Sequence, residues 1–300
     1  KIVATGGLVY LAGILIEKST SQGDSLYDAN QHAWMIIMAI LSAVMVLLGI
    51  YHIFMLPSGG KRAAAEVHRT GKQVMVELGE VLIDFFRKRH IVYYICFIIL
   101  YRFAEGFVMK IVPLFLKTER EMGGLGLSEK EIGLYYGSYG AAAFVLGSLL
   151  AGYYISSRGL KKTLFTLCGI FNLPFLVYTL FAIFQPTNGL LICSGIIFEY
   201  FGYGFGFVGL TLFMMQQIAP GKHQMAHYAF ASGIMNLGVM IPGMLSGWVC
   251  ELFEEWFNKP SGYEPFFIFV LIATIPAFLI TYFVPFKYNQ DGTLIEGEKE

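Results

Sequence analysis

Charge is scarce in this chain of 300 residues: 14% is charged and 56% hydrophobic, where a soluble domain carries about 25% charged residues. That deficit excludes an ordinary globular domain and implies an integral membrane protein. Nor is either sign in excess. Lys and Arg total 21 and Asp and Glu total 21, so no global field draws in nucleic acid. Cysteine is sparse as well. Cys96, Cys168, Cys193 and Cys250 lie in or at the edge of apolar runs without CxxC or CxxH spacing. They read as buried small hydrophobes, not as disulfides or metal ligands. No HExxH, GxSxG or phosphate-loop pattern occurs, and no carboxylate cluster has metal spacing. Neither a cofactor, a metal nor an enzymatic reaction is therefore expected. No cleavable signal peptide is visible. The chain opens on Lys1, enters an apolar segment at once, and is expected to be a piece with upstream segments missing.

What is abundant is long apolar runs. Ile2–Ile16 is slightly short for a span and reads as the remainder of a helix. Glu17–His32 is a polar stretch expected to form a loop, and Ala33–Leu56 is a full span. A bilayer core about 30 Å thick takes roughly 20 helical residues. Pro57-Ser58-Gly59-Gly60 then breaks the helix. Lys61–His90 is the one long polar stretch, and in it Val74, Leu78, Val81, Leu82, Phe85 and Phe86 recur at helical spacing. That pattern fits an amphipathic helix on the membrane or against the bundle, or a solvated linker helix. Six further spans follow: Ile91–Leu116, Ile132–Ile155, Thr163–Phe184, Gly189–Ile218, Ala226–Cys250 and Pro265–Phe286.

The loops between them alternate in charge. Lys61–His90, Arg158–Lys162 and the loop at Lys222 are basic, while the intervening loops are mixed, neutral or, at Glu251–Glu264, acidic. The positive-inside rule then places the basic loops and the C-terminus in the cytoplasm, and the alternation holds only if every span is counted. The reading is an all-α membrane protein. Residues 1–56 end one transmembrane unit, 57–90 form a basic linker, 91–286 form a six-helix unit, and 287–300 form a cytoplasmic tail.

Arg102 and Glu105 sit near the middle of Ile91–Leu116, where an ionised side chain costs at least about 2.5 kcal/mol. Three residues apart, they can pair. They read either as a self-neutralising structural pair or as a proton-coupling or substrate-binding site. Glu199 is the second acid near a midplane, followed by Gly202, Gly204, Gly206 and Gly209. It reads as a proton carrier or as a protonated packing partner. Tyr101, Tyr200, Tyr203 and Asn236 are candidate substrate-lining residues that could equally serve helix packing, and His227 is a candidate proton relay. Gly133, Gly137, Gly140 and Gly147 form a small-residue face suited to helix packing.

Six helices after a basic linker, with a basic loop between the second and third, resemble the C-terminal half of a major facilitator superfamily transporter. Gly152-Tyr153-Tyr154-Ile155-Ser156-Ser157-Arg158-Gly159-Leu160-Lys161, with Lys162 following, is similar to that family's cytoplasmic loop motif, with Ser156 where the family has an acid. Tyr101-Arg102-Phe103-Ala104-Glu105-Gly106-Phe107, Phe198-Glu199-Tyr200-Phe201-Gly202-Tyr203-Gly204-Phe205-Gly206 and Pro242-Gly243-Met244-Leu245-Ser246-Gly247-Trp248 resemble elements of the AmpG-type muropeptide permeases and the peptide/acetyl-coenzyme A transporter group. The likeness covers about Arg87–Phe286 and departs at Tyr200, where Asn is usual, and in the long acidic loop.

The resemblance implies a proton-coupled symporter that imports anhydro-muropeptides across a bacterial inner membrane by alternating access. Its partners would be the lipid bilayer, a small solute with a proton, and a missing N-terminal six-helix half. A transporter of a coenzyme A ester, sugar or drug shares every architectural feature, and a non-transporting membrane sensor or scaffold with the same fold is the alternative of another class.

Overall fold

A computed structural model describes residues 6–55, 71–259, 261–289 and 293–294. Among the described residues the chain is helical, and the only β contact is an isolated bridge between Tyr288 and Leu294. Helices α1 (Val9–Ser21), α2 (Leu26–Met55) and α3 (Gly71–Arg87) come first. Then α4 (Ile91–Tyr101) and α5 (Phe103–Lys117) form one interrupted rod. The short α6 (Glu129–Ile132) continues through a π-helical stretch, Gly133–Tyr139, into α7 (Gly140–Arg158). A tight turn at Leu173–Phe175 joins α8 (Leu160–Asn172) to α9 (Leu176–Phe184). The remaining helices are α10 (Gly189–Phe213), which ends in a π-helical turn Met214–Ile218, α11 (Gln224–Phe257), α12 (Tyr263–Ala273) and α13 (Ile275–Tyr282).

Among the described residues six continuous stretches are long and apolar enough to cross a bilayer: Leu26–Met55, Glu129–Arg158, Leu160–Phe184, Gly189–Ile218, Gln224–Phe257 and Tyr263–Tyr282. The α4–α5 rod is comparable in length but is interrupted at Arg102. The helices outrun their apolar cores. The stretch expected to be a loop at Glu17–His32 is helical except around Gln22–Ser25, and Glu251, Glu254 and Glu255 lie in the last turns of α11. Helical backbone satisfies itself, so it can continue past the apolar limit wherever charged side chains face outward. The expected break at Pro57–Gly60 and residues 61–70 of the basic linker fall outside the described residues.

Loop contacts fix the direction of each span. Arg120 donates to the carbonyls of Gln185 (3.1 Å) and Pro186 (2.9 Å), Gln185 donates to the Gly123 carbonyl (2.8 Å), and Thr118 meets the Tyr263 hydroxyl (2.9 Å). The turns after α5, α9 and α11 therefore gather at one end. At the other end Lys88 donates to the Ile218 and Pro220 carbonyls, and Gln217 holds the backbone of Lys287 and Tyr288 (2.8–3.0 Å). Successive spans run antiparallel.

At the centre lies α10. A Cβ on Gly204 would stand 2.1 Å from the Phe144 carbonyl oxygen, and one on Gly147 would stand 2.3 Å from that of Phe201. Helices α7 and α10 thus touch backbone to backbone, the close approach that small residues permit where no hydrophobic effect drives helices together. On its other side α10 meets α8, where Phe171 fills the space beside Gly206. Helix α1 docks on the start of the second span, with Gly133 against the Tyr10 backbone and Lys130 3.1 Å from Glu17. Helix α3 is anchored by Phe85, 1% exposed against His227 and Phe230, while Leu78, Leu82 and Phe86 stay exposed. Of the cysteines, Cys168 and Cys193 are buried, but Cys96 is exposed. In a membrane the outer surface is as apolar as the interior, so a small hydrophobe need not be inside.

Candidate functional site

The rod breaks where its charge lies. Arg102 has non-helical backbone angles (φ −106°, ψ 6°) between α4 and α5. Its guanidinium turns back onto Glu105, Nε to Oε2 and Nη2 to Oε1, both at 2.6 Å. This is a bidentate, charge-assisted pair. Arg102 is 5% exposed and Glu105 3%. A pair so buried offsets a large desolvation cost only while both members stay charged and bonded. Just beyond it, a Cβ on Gly106 would lie 2.4 Å from the Pro242 ring, so α5 and α11 cross in contact there.

Helix α10 encloses the pair from the other side. Tyr101 donates to the Gly206 carbonyl at 3.0 Å, and the Arg102 guanidinium sits 5.3 Å from the centre of the Phe207 ring. Tyr203 joins through a side-chain hydrogen bond to Glu105. One turn earlier on α10, Glu199 is buried and accepts from the Tyr178 hydroxyl of α9 at 3.0 Å. Tyr200 bonds to Tyr136 of the π-helical stretch, and their rings stand edge to face at 4.9 Å. The Tyr200 and Tyr203 rings are 6.3 Å apart. A belt of phenols therefore runs between the two acids, and half-buried Tyr136 and Tyr203 carry it to the molecular surface. Such a belt can hold a proton on a carboxyl and offer ring faces and hydroxyls to a polar solute.

Of the residues singled out by sequence, Tyr101, Arg102, Glu105, Glu199, Tyr200 and Tyr203 come together in this network. Asn236 does not join it and is exposed on α11, in line with Gly233, Met240 and Met244. His227 is also elsewhere: it is 2% exposed at the basic end, with Nε2 3.3 Å from the Val81 carbonyl oxygen. The loop motif forms a one-residue turn. Gly159 takes φ 82°, which glycine adopts without strain, between α7 and α8. Arg158 lies over the Tyr154 ring at 5.0 Å, Lys161 and Lys162 are exposed, and a Cβ on Gly152 would meet nothing within 4 Å. Tyr178 and Phe207 were not legible as partners. An isolated phenol in an apolar run is the one signal that Tyr178 offered.

A family model of the Major Facilitator Superfamily matches residues 95–299. A putative transporter AmpG 1 of Rickettsia felis is 25% identical over 191 residues, covering 63% of this chain and 40% of that protein. Its Rickettsia bellii counterpart is 24% identical over 201 residues, covering 67% and 45%. The anhydromuropeptide permease of Escherichia coli K12 is 22% identical over 199 residues, covering 66% and 37%. The chain thus spans less than half the length of these curated relatives. It belongs to the major facilitator superfamily, and it is an all-α, multi-pass membrane protein with that family's helical bundle.

Proposed function

We propose that this major facilitator chain supplies the six-helix wall of a proton-coupled transporter that imports anhydro-muropeptides by alternating access. The observation that carries the reading is the buried network joining Arg102–Glu105 to Glu199 through phenols. Ionisable groups at this depth are rare and accompany solute or proton pathways. The substrate class rests on the permease named among the relatives, a protein whose matched region is about a third of its length.

Within the network we assign the two acids different tasks. Protonating Glu105 would strand the Arg102 guanidinium without its counter-charge, so this pair serves best as a fixed anchor beside the solute. Glu199 is the proton carrier. Its partner Tyr178 can donate to a carboxylate or accept from a carboxylic acid, so either charge state keeps a hydrogen bond. Protonation of Glu199 from the periplasmic side lowers the desolvation cost of the closed state. Release to the cytoplasm biases the return. Only a difference in proton affinity between the two states can move that equilibrium. A second six-helix unit, for which the length of the relatives leaves room, would supply the facing wall, with Tyr136, Tyr203 and exposed Asn236 toward the solute. The basic loops, the C-terminus and Lys161–Lys162 would face the cytoplasm of a bacterial inner membrane.

The test is uptake of labelled anhydro-muropeptide by liposomes holding the complete transporter, with and without an inward proton gradient. Glu199→Gln is expected to abolish gradient-driven uptake while leaving solute exchange. Uptake by Glu199→Gln that still follows the gradient would remove Glu199 from the proton path. No uptake by the intact protein beside a working control would remove the muropeptide reading.

A further inference from the structure

A second constellation lies at the basic end, and none of its lining residues belongs to the phenol belt. A recess of about 400 Å³ opens between the end of α3, the turn after α10 and the segment after α13. Its walls carry Arg87, Lys88, Arg89, Lys222 and Lys287. These cations come from three stretches far apart in sequence, so only the fold assembles them. Among the described residues Asp84 is the one acid in the wall, and it faces His223 at 3.6 Å. Lys287 is 7% exposed, and its ammonium lies 5.2 Å from the Tyr288 ring. His227 also lines the recess. It is 2% exposed, and with Nε2–H donating to the Val81 carbonyl its Nδ1 is left an acceptor without a hydrogen-bond partner, which a ligand hydroxyl, such as that of a monohydrogen phosphate, can satisfy.

Lys88 explains how the recess holds together. Its ammonium donates to the Ile218 and Pro220 carbonyls, closing the orphan acceptors at the end of the fourth span of the six-helix unit. The other cations of the lining are Arg87, Arg89 and Lys222, which are exposed, and Lys287, which is buried. Burial and the neighbouring Lys287 also hold the Lys88 ammonium down to about 8, against the weaker pull of Asp84. The crowding of positive charge is therefore felt inside the fold, and a bound anion would relieve it.

We propose that this recess binds a phosphate-bearing anion. The shared chemistry is a phosphate group, carried either by a lipid headgroup at the cytoplasmic interface or by a soluble phosphate compound. Forked guanidiniums and point-charge ammoniums recognise phosphate by paired hydrogen bonds and charge. Basic pockets at this membrane level hold anionic headgroups by the same means.

The experiment measures the thermal midpoint of the full chain in neutral detergent at constant ionic strength. One arm adds inorganic phosphate against chloride. The other adds phosphatidylglycerol against phosphatidylcholine. A saturable rise in either arm is expected: phosphate alone identifies a soluble anion, and phosphatidylglycerol alone identifies a headgroup. Lys222→Gln with Lys287→Gln should weaken the responding arm roughly 25-fold, at about fivefold per cation. Arg158→Gln, a basic residue outside the recess, should leave it unchanged. If neither anion moves the midpoint, the proposal falls. It also falls if the double variant responds like the parent, or if Arg158→Gln weakens binding as much.

Discussion

Helix α2 and helix α10 are both apolar and long enough to span a bilayer, yet their fates within the chain are opposite. Of its most apolar 18 residues, α2 buries 11% and the span containing α10 buries 50%. The more apolar helix is the more exposed one. Helix α2 packs on α1 through Ala29 and Ala33, and its outer half is a run of exposed Val, Met, Leu, Ile and Phe. Helix α10 carries Gly202, Gly204, Gly206 and Gly209 and is crossed by the charged break at Arg102. In lipid, apolarity buys no burial. Notches that admit a neighbour's backbone, and polar groups that must not face hydrocarbon, decide what lies inside.

The strongest way to break that contrast is to unbalance the polar anchor. Arg102→Gln leaves Glu105 buried beside a neutral partner, and a loss of about 3–5 kcal/mol is expected. It would be measured as a fall in folded yield and thermal midpoint in detergent. Replacing both members, Arg102→Met with Glu105→Met, should recover most of that stability while leaving transport abolished. A single variant as stable as the parent would mean that the pair is not sealed from solvent.

Next comes the notch. Gly204→Leu must displace the Phe144 backbone and is expected to cost about 3 kcal/mol, the upper range for overpacking. Gly49→Leu on α2 meets nothing within 4 Å and should leave the midpoint unchanged. Equal effects at the two sites, in parallel melts, would dissolve the distinction between the helices. Smaller again is Tyr178→Phe, which removes the donor to Glu199 and should cost about 1 kcal/mol. Tyr51→Phe on exposed α2 should cost less than about 0.5 kcal/mol.

A pH-dependent effect is expected at the basic end of the α10 span. Lys88 titrates near 8 when folded and at its ordinary, higher value when unfolded. Between those values the unfolded chain binds the extra proton, so stability should rise as pH climbs from about 8 toward 10.5. Lys287→Met should shrink that rise, because Lys287 is one cause of the lowered value. A midpoint that falls across this range in the parent, relative to Lys88→Met, would contradict the assignment.

Much of the architecture is legible in the amino-acid sequence. Each crossing segment must be about 20 residues long and nearly free of charge, a requirement local in sequence, so the spans and the mid-span Arg102, Glu105 and Glu199 stood out. The ends did not. Glu251 to Glu255 read as loop because charge normally marks an apolar limit, yet a helix can run on past the bilayer. His227, a candidate relay near the cytoplasmic end of its helix, lies at the basic end against α3, a contact that its own sequence neighbours do not announce. The pairing of Arg102 with Glu105 followed from their spacing. The break that lets the guanidinium fold back did not.

By itself, then, the amino-acid order determined where the long apolar segments lie and that Arg102, Glu105 and Glu199 fall inside them, because both are local properties of the chain. Tertiary structure alone decided which face of each helix points inward, that Tyr178 rather than another phenol serves Glu199, and that Lys88 closes the end of the α10 span. Interior and lipid are equally apolar, so no periodicity marks the inner face. Each of those choices was made by a neighbour arriving from far along the chain.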